Sequence, residues 1–96
     1  MFKITGGKGF QLTFPNGWTA SVQWGIGNYC DHYSLSLRTG EDWDRANRDA
    51  GSNGSMTAEI AAWDRDGVWH NFGGDTVKGY VHTKDITGFL AMVAGF

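Results

Sequence analysis

The chain has little cysteine, little proline and no long hydrophobic run. Its 96 residues include one cysteine, which excludes an intramolecular disulfide, so we expect a fold that does not depend on oxidation. A single proline argues against a polyproline chain. No stretch approaches the roughly 20 apolar residues of a membrane span, and MFKITGGKGF lacks a hydrophobic signal run. These absences predict a cytoplasmic protein.

The charge is also nearly balanced. Eight Lys and Arg residues against ten Asp and Glu residues leave a net charge of −2, whereas binding of double-stranded DNA needs a basic face. Fifteen glycines predict many turns rather than long helices. Five Trp, six Phe and three Tyr residues are many for the modest core of one domain of this size, residues 1–96. We therefore expect some rings to face a ligand or a partner.

Two segments near the N-terminus alternate apolar and polar side chains. FQLTF, residues 10–14, and WTASVQW, residues 18–24, each have a hydrophobic face and a Thr/Ser/Gln face. This pattern is typical of an antiparallel sheet that is covered on one side. Pro15 and Gly17 lie between the segments and supply the dihedral angles of a turn. The sequence predicts a β-hairpin here, with residues 2–5 as a short edge strand.

A second hairpin and a helix are predicted further along the chain. Residues 56–63 and 68–72 alternate, and Asp66-Gly67 between them is a strong turn signal. A helix over SMTAEIAAW, residues 55–63, is the alternative. Near the C-terminus a helix capped by Thr83 is predicted from one apolar stripe. The stripe consists of Ile86, Phe89, Leu90 and Val93. We expect an α+β domain: an antiparallel sheet of two hairpins, with four or five strands, and one C-terminal helix packed on one face.

Two glycine-rich or polar segments remain. Residues 33–55 begin with YSLSLR, a candidate short strand, and continue as a long charged loop, which in so small a domain is usually functional or disordered. GGKG at residues 6–9 has the composition of a phosphate-binding nest. It lacks the complete phosphate-loop pattern and a following helix, so a plain turn is the favoured interpretation.

The stretch GIGNYCDH, residues 25–32, contains residue types found in catalytic and metal sites. Cys30 and Asp31 point to opposite sides of an extended chain, and a lone buried cysteine usually packs as a small hydrophobe. The Cys and His spacings match no zinc module. We predict no catalytic residue, no metal and no cofactor. The glycines, Asn28 and Tyr29 instead favour a recognition loop.

Aromatic and arginine side chains indicate a binding function. Alternation places Trp63 and Trp69 side by side across the second hairpin, on the face away from the helix. Arg38, Trp43 and Arg45 belong to the long segment. Rings stack on bases and guanidinium groups bind phosphates, so the set is typical of a nucleotide site. The alternative, given equal weight, is that the rings form a second small core or an oligomer interface.

NGWTASVQWGIGNYCDH and AEIAAWDRDGVW resemble a family of small, mostly uncharacterised proteins of tailed bacteriophages with the patterns NG[WY]TxSVQ-G-GNYC and AE[IV]AAW. The resemblance covers residues 10–31 and 56–69, whereas residues 33–55 look variable, which counts against a phosphate role for the arginines there. Several unrelated families of small phage proteins are oligomeric, non-catalytic sponges for cyclic nucleotides or ADP-ribose-derived defence signals. The resemblance implies, by analogy with that class, a phage anti-defence protein. The positions that match the patterns are Asn28, Tyr29, Cys30, Glu59 and Trp63.

Three functional hypotheses follow. The first is a non-enzymatic, homo-oligomeric phage protein, a dimer or higher, that sequesters a nucleotide-derived immune signal in the host cytoplasm without contacting duplex DNA or membrane. The second is a protein–protein inhibitor of a host defence enzyme, and the third is a small hydrolase of such signals. The predicted ligand-binding residues are Trp24, Asn28, Tyr29, Asp31, Arg38, Trp43, Arg45, Glu59, Trp63 and Trp69.

Overall fold

A computed structural model of the chain describes residues 1–5, 9–25, 30 and 55–96. These residues form one antiparallel sheet of five strands in chain order, followed by a C-terminal helix, which is the predicted α+β architecture. The elements are β1 Phe2–Ile4, β2 Gly9–Thr13, β3 Thr19–Gln23, β4 Thr57–Trp63, β5 Lys78–His82 and helix α1 Thr83–Ala94. The candidate strand at 33–38, residues 6–8 of the GGKG turn at 6–9 and all of the long segment 33–55 except Ser55 lie outside the described residues.

The first hairpin joins β2 and β3 through a loop of three residues, 15–17. Phe14 N–H donates to Trp18 O at 2.8 Å, and Gly17 N–H donates to Phe14 O at 2.9 Å. Gly17 has a φ of 88°, in the left-handed region that glycine adopts without strain. The predicted hairpin, its turn and the edge strand β1 are therefore confirmed.

The turn predicted at Asp66-Gly67 is also present. Asp64 N–H donates to Val68 O at 2.9 Å, Gly67 N–H donates to Asp64 O at 3.0 Å, and Gly67 has a φ of 82°. This is the same loop geometry as in the first hairpin, with a glycine in the left-handed region as its third residue. Residues 57–63 form a strand and not the alternative helix.

The prediction of a strand at residues 68–72 is wrong. These residues form only an isolated bridge to the last residue of β4. Asn71 Oδ1 accepts hydrogen bonds from the N–H groups of Gly73 and Gly74 at 2.7 and 2.6 Å, which turns the chain away from the sheet. The strand that pairs with residues 57–60 of β4, on the edge opposite β3, is instead β5, Lys78–His82.

Helix α1 covers one face of the sheet, here called the helix face. Phe89 and Val93 are buried there, and Ile86 and Leu90 pack beside them, so the predicted apolar stripe is confirmed. Small residues on the central strands allow the helix to approach the sheet closely. The buried sheet residues of this core are Ala20, Val22, Ala58, Ile60, Ala62 and Val81.

The N-cap of α1 is His82 rather than the predicted Thr83. His82 has extended dihedral angles, and its Nδ1 accepts a hydrogen bond from Lys84 N–H at 3.3 Å. Thr83 is already the first helical residue. Capping needs a side-chain acceptor on the last extended residue, so the cap moves one residue back when β5 runs directly into the helix.

The helix lies against β3, β4 and β5 and does not extend over β1 or β2. Phe2 and Ile4 of β1 consequently remain exposed on the helix face. The opposite face of the sheet carries the alternate side chains of β2, β3 and β4 and is here called the open face. Among the described residues, no helix packs against it.

Candidate ligand-binding groove

The open face consists mainly of polar side chains, because β2 and β3 alternate Gln, Thr and Ser with their apolar residues. The strand register arranges these side chains in rows across the sheet. One row runs from Thr5 through Gly9 and Gln23 to Glu59, and the next places Gln11, Ser21 and Ala61 side by side. The third row is Thr13, Thr19 and Trp63, with the two threonine hydroxyls 2.9 Å apart.

Hydrogen bonds fix the side chain of Gln23 at the centre of the face. Its Oε1 accepts from the hydroxyl of Thr5 at 2.9 Å, and its Nε2 donates to Ser21 Oγ at 3.2 Å and to Phe10 O at 3.4 Å. Gly9 makes this arrangement possible, since a Cβ there would lie 2.1 Å from Val22 O and 3.0 Å from Gln23 Cδ. The amide is thus oriented before any ligand arrives.

Trp63 and Trp69 form an aromatic wall at one end of the face. The isolated bridge between them brings the ring centroids to 5.0 Å with an interplanar angle of 30°. Trp69 remains 45 % exposed, whereas Trp63 is half-buried. The prediction that the two rings lie side by side on the face away from the helix is confirmed. No further ring fits between two indoles already in contact, so a planar ligand would stack on their exposed side.

A groove of about 300 Å³ lies between these groups. Ser21 and Ala61 form the bottom of the groove because their side chains are small. The longer side chains of the two glutamines, Glu59 and the two tryptophans form its sides. Ligand sites in proteins start at roughly this volume, so a single nucleoside-sized group fits inside it. The lining residues are Thr5, Gln11, Ser21, Gln23, Glu59, Ile60, Ala61, Trp63, Trp69 and Val77.

The hydrogen-bonding groups of the groove suit a neutral polar ligand. The side-chain amide of Gln11 makes no hydrogen bond to another described residue and offers one acceptor and two donors. Glu59 is half-buried in the same groove and adds carboxylate acceptors. Amides and carboxylates bind base edges and sugar hydroxyls. Among the described lining residues, Glu59 is the one titratable side chain.

A second groove, of about 420 Å³, lies on the helix face at the N-terminal end of α1. Trp24 lines it together with Phe10, Val22 and Ile86, and the rings of Trp24 and Phe10 meet edge to face at 6.0 Å. Trp24 is therefore on the opposite side of the sheet from Trp63 and Trp69. Its position follows from the same alternation that places Val22 and Trp18 on the helix face.

The structure brings together three of the predicted binding residues, Glu59, Trp63 and Trp69, and places Trp24 apart from them. The other six lie outside the described residues: Asn28, Tyr29, Asp31, Arg38, Trp43 and Arg45. Sequence reasoning did not select Thr5, Gln11, Ser21 or Gln23. Their signal was the polar half of the alternating pattern in β2 and β3, which marks a sheet face without a cover.

Cys30 is buried, as predicted for a cysteine that packs as a small hydrophobe. It is 1 % exposed, and its Sγ lies 3.1 Å from Trp24 O and 3.6 Å from Gly25 O, distances at which the thiol donates to the carbonyl groups. A thiol in this position ties residue 30 to the end of β3. His32 lies outside the described residues.

Comparison with known proteins gives no match: no family model, no curated protein and no solved structure is similar to the chain. Within residues 1–5, 9–25, 30 and 55–96, no three His, Cys, Asp or Glu side chains come together as a metal site. In the same part of the chain, no helix has the length and apolar character needed to cross a bilayer. The functional assignment therefore depends on the groove itself.

Proposed function

We propose that the protein is a non-catalytic binding protein that holds a nucleotide-derived small molecule in the open-face groove. The observation that carries this proposal is the indole wall of Trp63 and Trp69 next to an oriented polar floor. A purine or pyrimidine ring stacks on the exposed side of Trp69, which contributes about 1–3 kcal/mol per base in comparable sites. Gln11 and Glu59 then bind the base edge or the ribose hydroxyls.

The groove supports binding without turnover. Hydrolysis requires a positioned nucleophile or water and a group that transfers the proton. The described lining consists of Glu59 and otherwise amides, hydroxyls and apolar surfaces, groups that suit recognition of a base and a ribose. Recovery of the ligand intact after long incubation is the expected result, and its conversion to product would favour the hydrolase hypothesis instead.

The volume of the groove limits what it holds. About 300 Å³ accommodates one nucleoside, whereas a cyclic dinucleotide or a cyclic ADP-ribose extends beyond it. In this proposal the phosphates lie outside the groove. The resemblance to phage proteins is the ground on which a bacterial immune signal is proposed as the ligand class. A homo-oligomer in the cytoplasm of the infected host then acts as a sponge for it.

Calorimetric titration with cyclic dinucleotides, cyclic ADP-ribose isomers and single nucleosides tests the proposal. We expect at least one of these ligands to bind wild-type protein, and Trp69→Ala to weaken that binding at least tenfold. Tyr80→Ala is the matched control: Tyr80 is an exposed aromatic residue outside the groove lining, so this variant should bind the ligand as wild type does. Heats of dilution alone across the whole panel would contradict the proposal.

One observation favours a second candidate function. Val68 and Trp69 are consecutive exposed residues directly after the turn that follows β4, at the rim of the sheet, and exposed apolar side chains of this kind occur at protein interfaces. An inhibitor of a host defence enzyme would use this rim and would need no small molecule. Val68→Lys separates the two functions, because it should abolish capture of a host enzyme and leave ligand titrations unchanged.

A further inference from the structure

In the sheet formed by the described residues, β1 is an edge strand, and its outer edge has the geometry of a self-pairing strand. Within the β1–β2 ladder, Met1 exchanges hydrogen bonds with Thr13 and Thr5 N–H donates to Gly9 O. Hydrogen-bonded pairs alternate along an antiparallel ladder. The N–H and C=O groups of Phe2 and Ile4 therefore point away from β2, towards the solvent at the edge of the sheet.

The side chains at the same edge are apolar. Phe2 is 65 % exposed and Ile4 is 74 % exposed, both on the helix face, which α1 does not cover at this end. The ring of Phe2 stacks on Phe10 at 5.4 Å with an interplanar angle of 12°, so it is held flat with one side free. Unpaired backbone groups next to exposed apolar side chains are a template for strand addition.

The opposite edge of the sheet is less suited to pairing. β5 contains a register shift against β4, and Tyr80 within it has a φ of 53°. Such a bulge twists an edge strand and interrupts its row of outward-pointing groups. Of the two edges, β1 is the regular one.

We propose that two copies of the chain pair antiparallel through β1, with a two-fold axis at Lys3. This register sets Phe2 of one copy opposite Ile4 of the other and closes four backbone hydrogen bonds, two at each Phe2–Ile4 pair. It is the register in which apolar side chains meet apolar side chains on the helix face while the outward backbone groups find each other. The result is a continuous ten-stranded sheet. The open-face grooves of the two copies lie on the same side of it.

The size of this contact predicts a weak dimer. One fully exposed aromatic side chain presents roughly 150–250 Å², so Phe2, Ile4 and Met1 together bring on the order of 400 Å² per copy. A stable interface buries roughly 800 Å² per partner. The dimer therefore forms and dissociates with concentration. Lys3 limits it further, because the two-fold register sets its ammonium group directly opposite that of Lys3 in the second copy.

This inference gives an interface to the homo-oligomer of the proposed function, and it rests on β1 alone. A wild-type protein that does not self-associate but still binds a ligand would reject the β1 dimer and leave the groove proposal intact. A wild-type protein that dimerises but binds no ligand would reject the groove proposal and leave the β1 dimer intact. The two proposals thus fail separately.

Cross-linking of single cysteine variants tests the register. Opposite residues of a non-hydrogen-bonded pair have Cα atoms about 4.5 Å apart, within disulfide range. Lys3→Cys should thus form a disulfide-linked dimer in a glutathione buffer at least tenfold faster than Lys78→Cys, which places a cysteine on the other edge. The native Cys30 is buried and does not compete.

Sedimentation velocity over a concentration series completes the test. Wild-type protein should shift from monomer to dimer, Ile4→Lys should remain monomeric, and the control Val68→Lys should behave as wild type does. Lys3→Thr should dimerise about two- to fivefold more tightly. A wild-type monomer at every concentration, an Ile4→Lys variant that still dimerises, or equal cross-linking of Lys3→Cys and Lys78→Cys would overturn the inference.

Discussion

Replacing Asn16 tests how the first hairpin holds the end of the helix. Asn16 lies in the turn between β2 and β3, and its Nδ2 donates to Val93 O at 2.9 Å and to Ala94 O at 3.2 Å. Its Oδ1 accepts from Trp18 N–H at 2.9 Å. The side chain therefore satisfies carbonyl groups at the C-terminus of α1 and a backbone donor of the hairpin at the same time.

The Asn16→Ala variant removes both functions. If the Nδ2 contacts at the helix end together and the Oδ1 contact each contribute about 0.5–1.5 kcal/mol, the expected loss in the free energy of unfolding is about 2 kcal/mol. For a domain of this size, each kcal/mol lowers Tm by about 4–8 °C. The expected decrease in Tm is therefore about 8–16 °C, and the far-ultraviolet circular dichroism of the folded state should be almost unchanged.

The Asn16→Asp variant separates the two functions. Its carboxylate can still accept from Trp18 N–H, but an oxygen replaces the Nδ2 donor and faces the carbonyl of Val93 at the negative end of the helix dipole. This repulsion raises the pKa of the introduced carboxyl above the roughly 3.9 of an unfolded aspartate. A raised pKa means that the variant loses stability as pH rises and regains it on acidification through pH ~4.

Urea denaturation of wild type and both variants at pH 3.5 and pH 7 measures these effects. The stability of Asn16→Asp relative to wild type should be lowest at pH 7, at or below that of Asn16→Ala, and should improve at pH 3.5. The relative stability of Asn16→Ala should not change with pH. An Asn16→Asp variant as stable as wild type at pH 7 would refute the capping contact.

Two further substitutions test other features of the fold. Gly9→Ala should cost about 2 kcal/mol or more in urea denaturation, because the added Cβ would lie 2.1 Å from Val22 O, and it should also weaken any ligand binding in the groove. Tyr80→Gly should raise Tm by a few degrees. A left-handed conformation costs a non-glycine residue roughly 1–2 kcal/mol, and the Tyr80 side chain is 55 % exposed, so its removal loses little packing. A lower Tm would show that the ring contributes more to stability than the backbone strain costs.

The first hairpin was predictable because every local signal agreed. Alternation fixed the faces of β2 and β3, and Pro15 and Gly17 specified the turn. The role of Asn16 was not predictable, since its partner carbonyls lie 77 or more residues away along the chain. Side-chain contacts between distant elements leave no periodic trace in a sequence.

The partner of β4 was predicted wrongly for a local reason. Residues 68–72 alternate as a strand does, but the Asn71 side chain and the two glycines after Phe72 form a competing turn. β5, Lys78–His82, gave a weak signal because Gly79 interrupts it and Tyr80 takes a positive φ. Pattern alone cannot decide between a strand and a turn when both are encoded within five residues.

The candidate site was predictable in part. The pairing of Trp63 and Trp69 followed from the turn between them, because a tight turn holds nearby residues in register even without a full second strand. The polar residues of the groove could be recognised in the sequence as the polar positions of the alternating pattern in β2 and β3. Their hydrogen bonds could not be predicted from that pattern. The orientation of Gln23 depends on Thr5 and Gly9, which reach it only through the sheet register.

Native mass spectrometry of the protein purified from a host that produces cyclic nucleotide and cyclic ADP-ribose signals tests the central claim most directly. The account predicts a wild-type protein that carries a mass matching an intact nucleotide-type signal, and a folded Trp69→Ala variant that lacks it. The Tyr80→Ala control should carry the same mass as wild type. A wild-type protein without any such mass, or a Trp69→Ala variant that retains it, would contradict the assignment of the open-face groove.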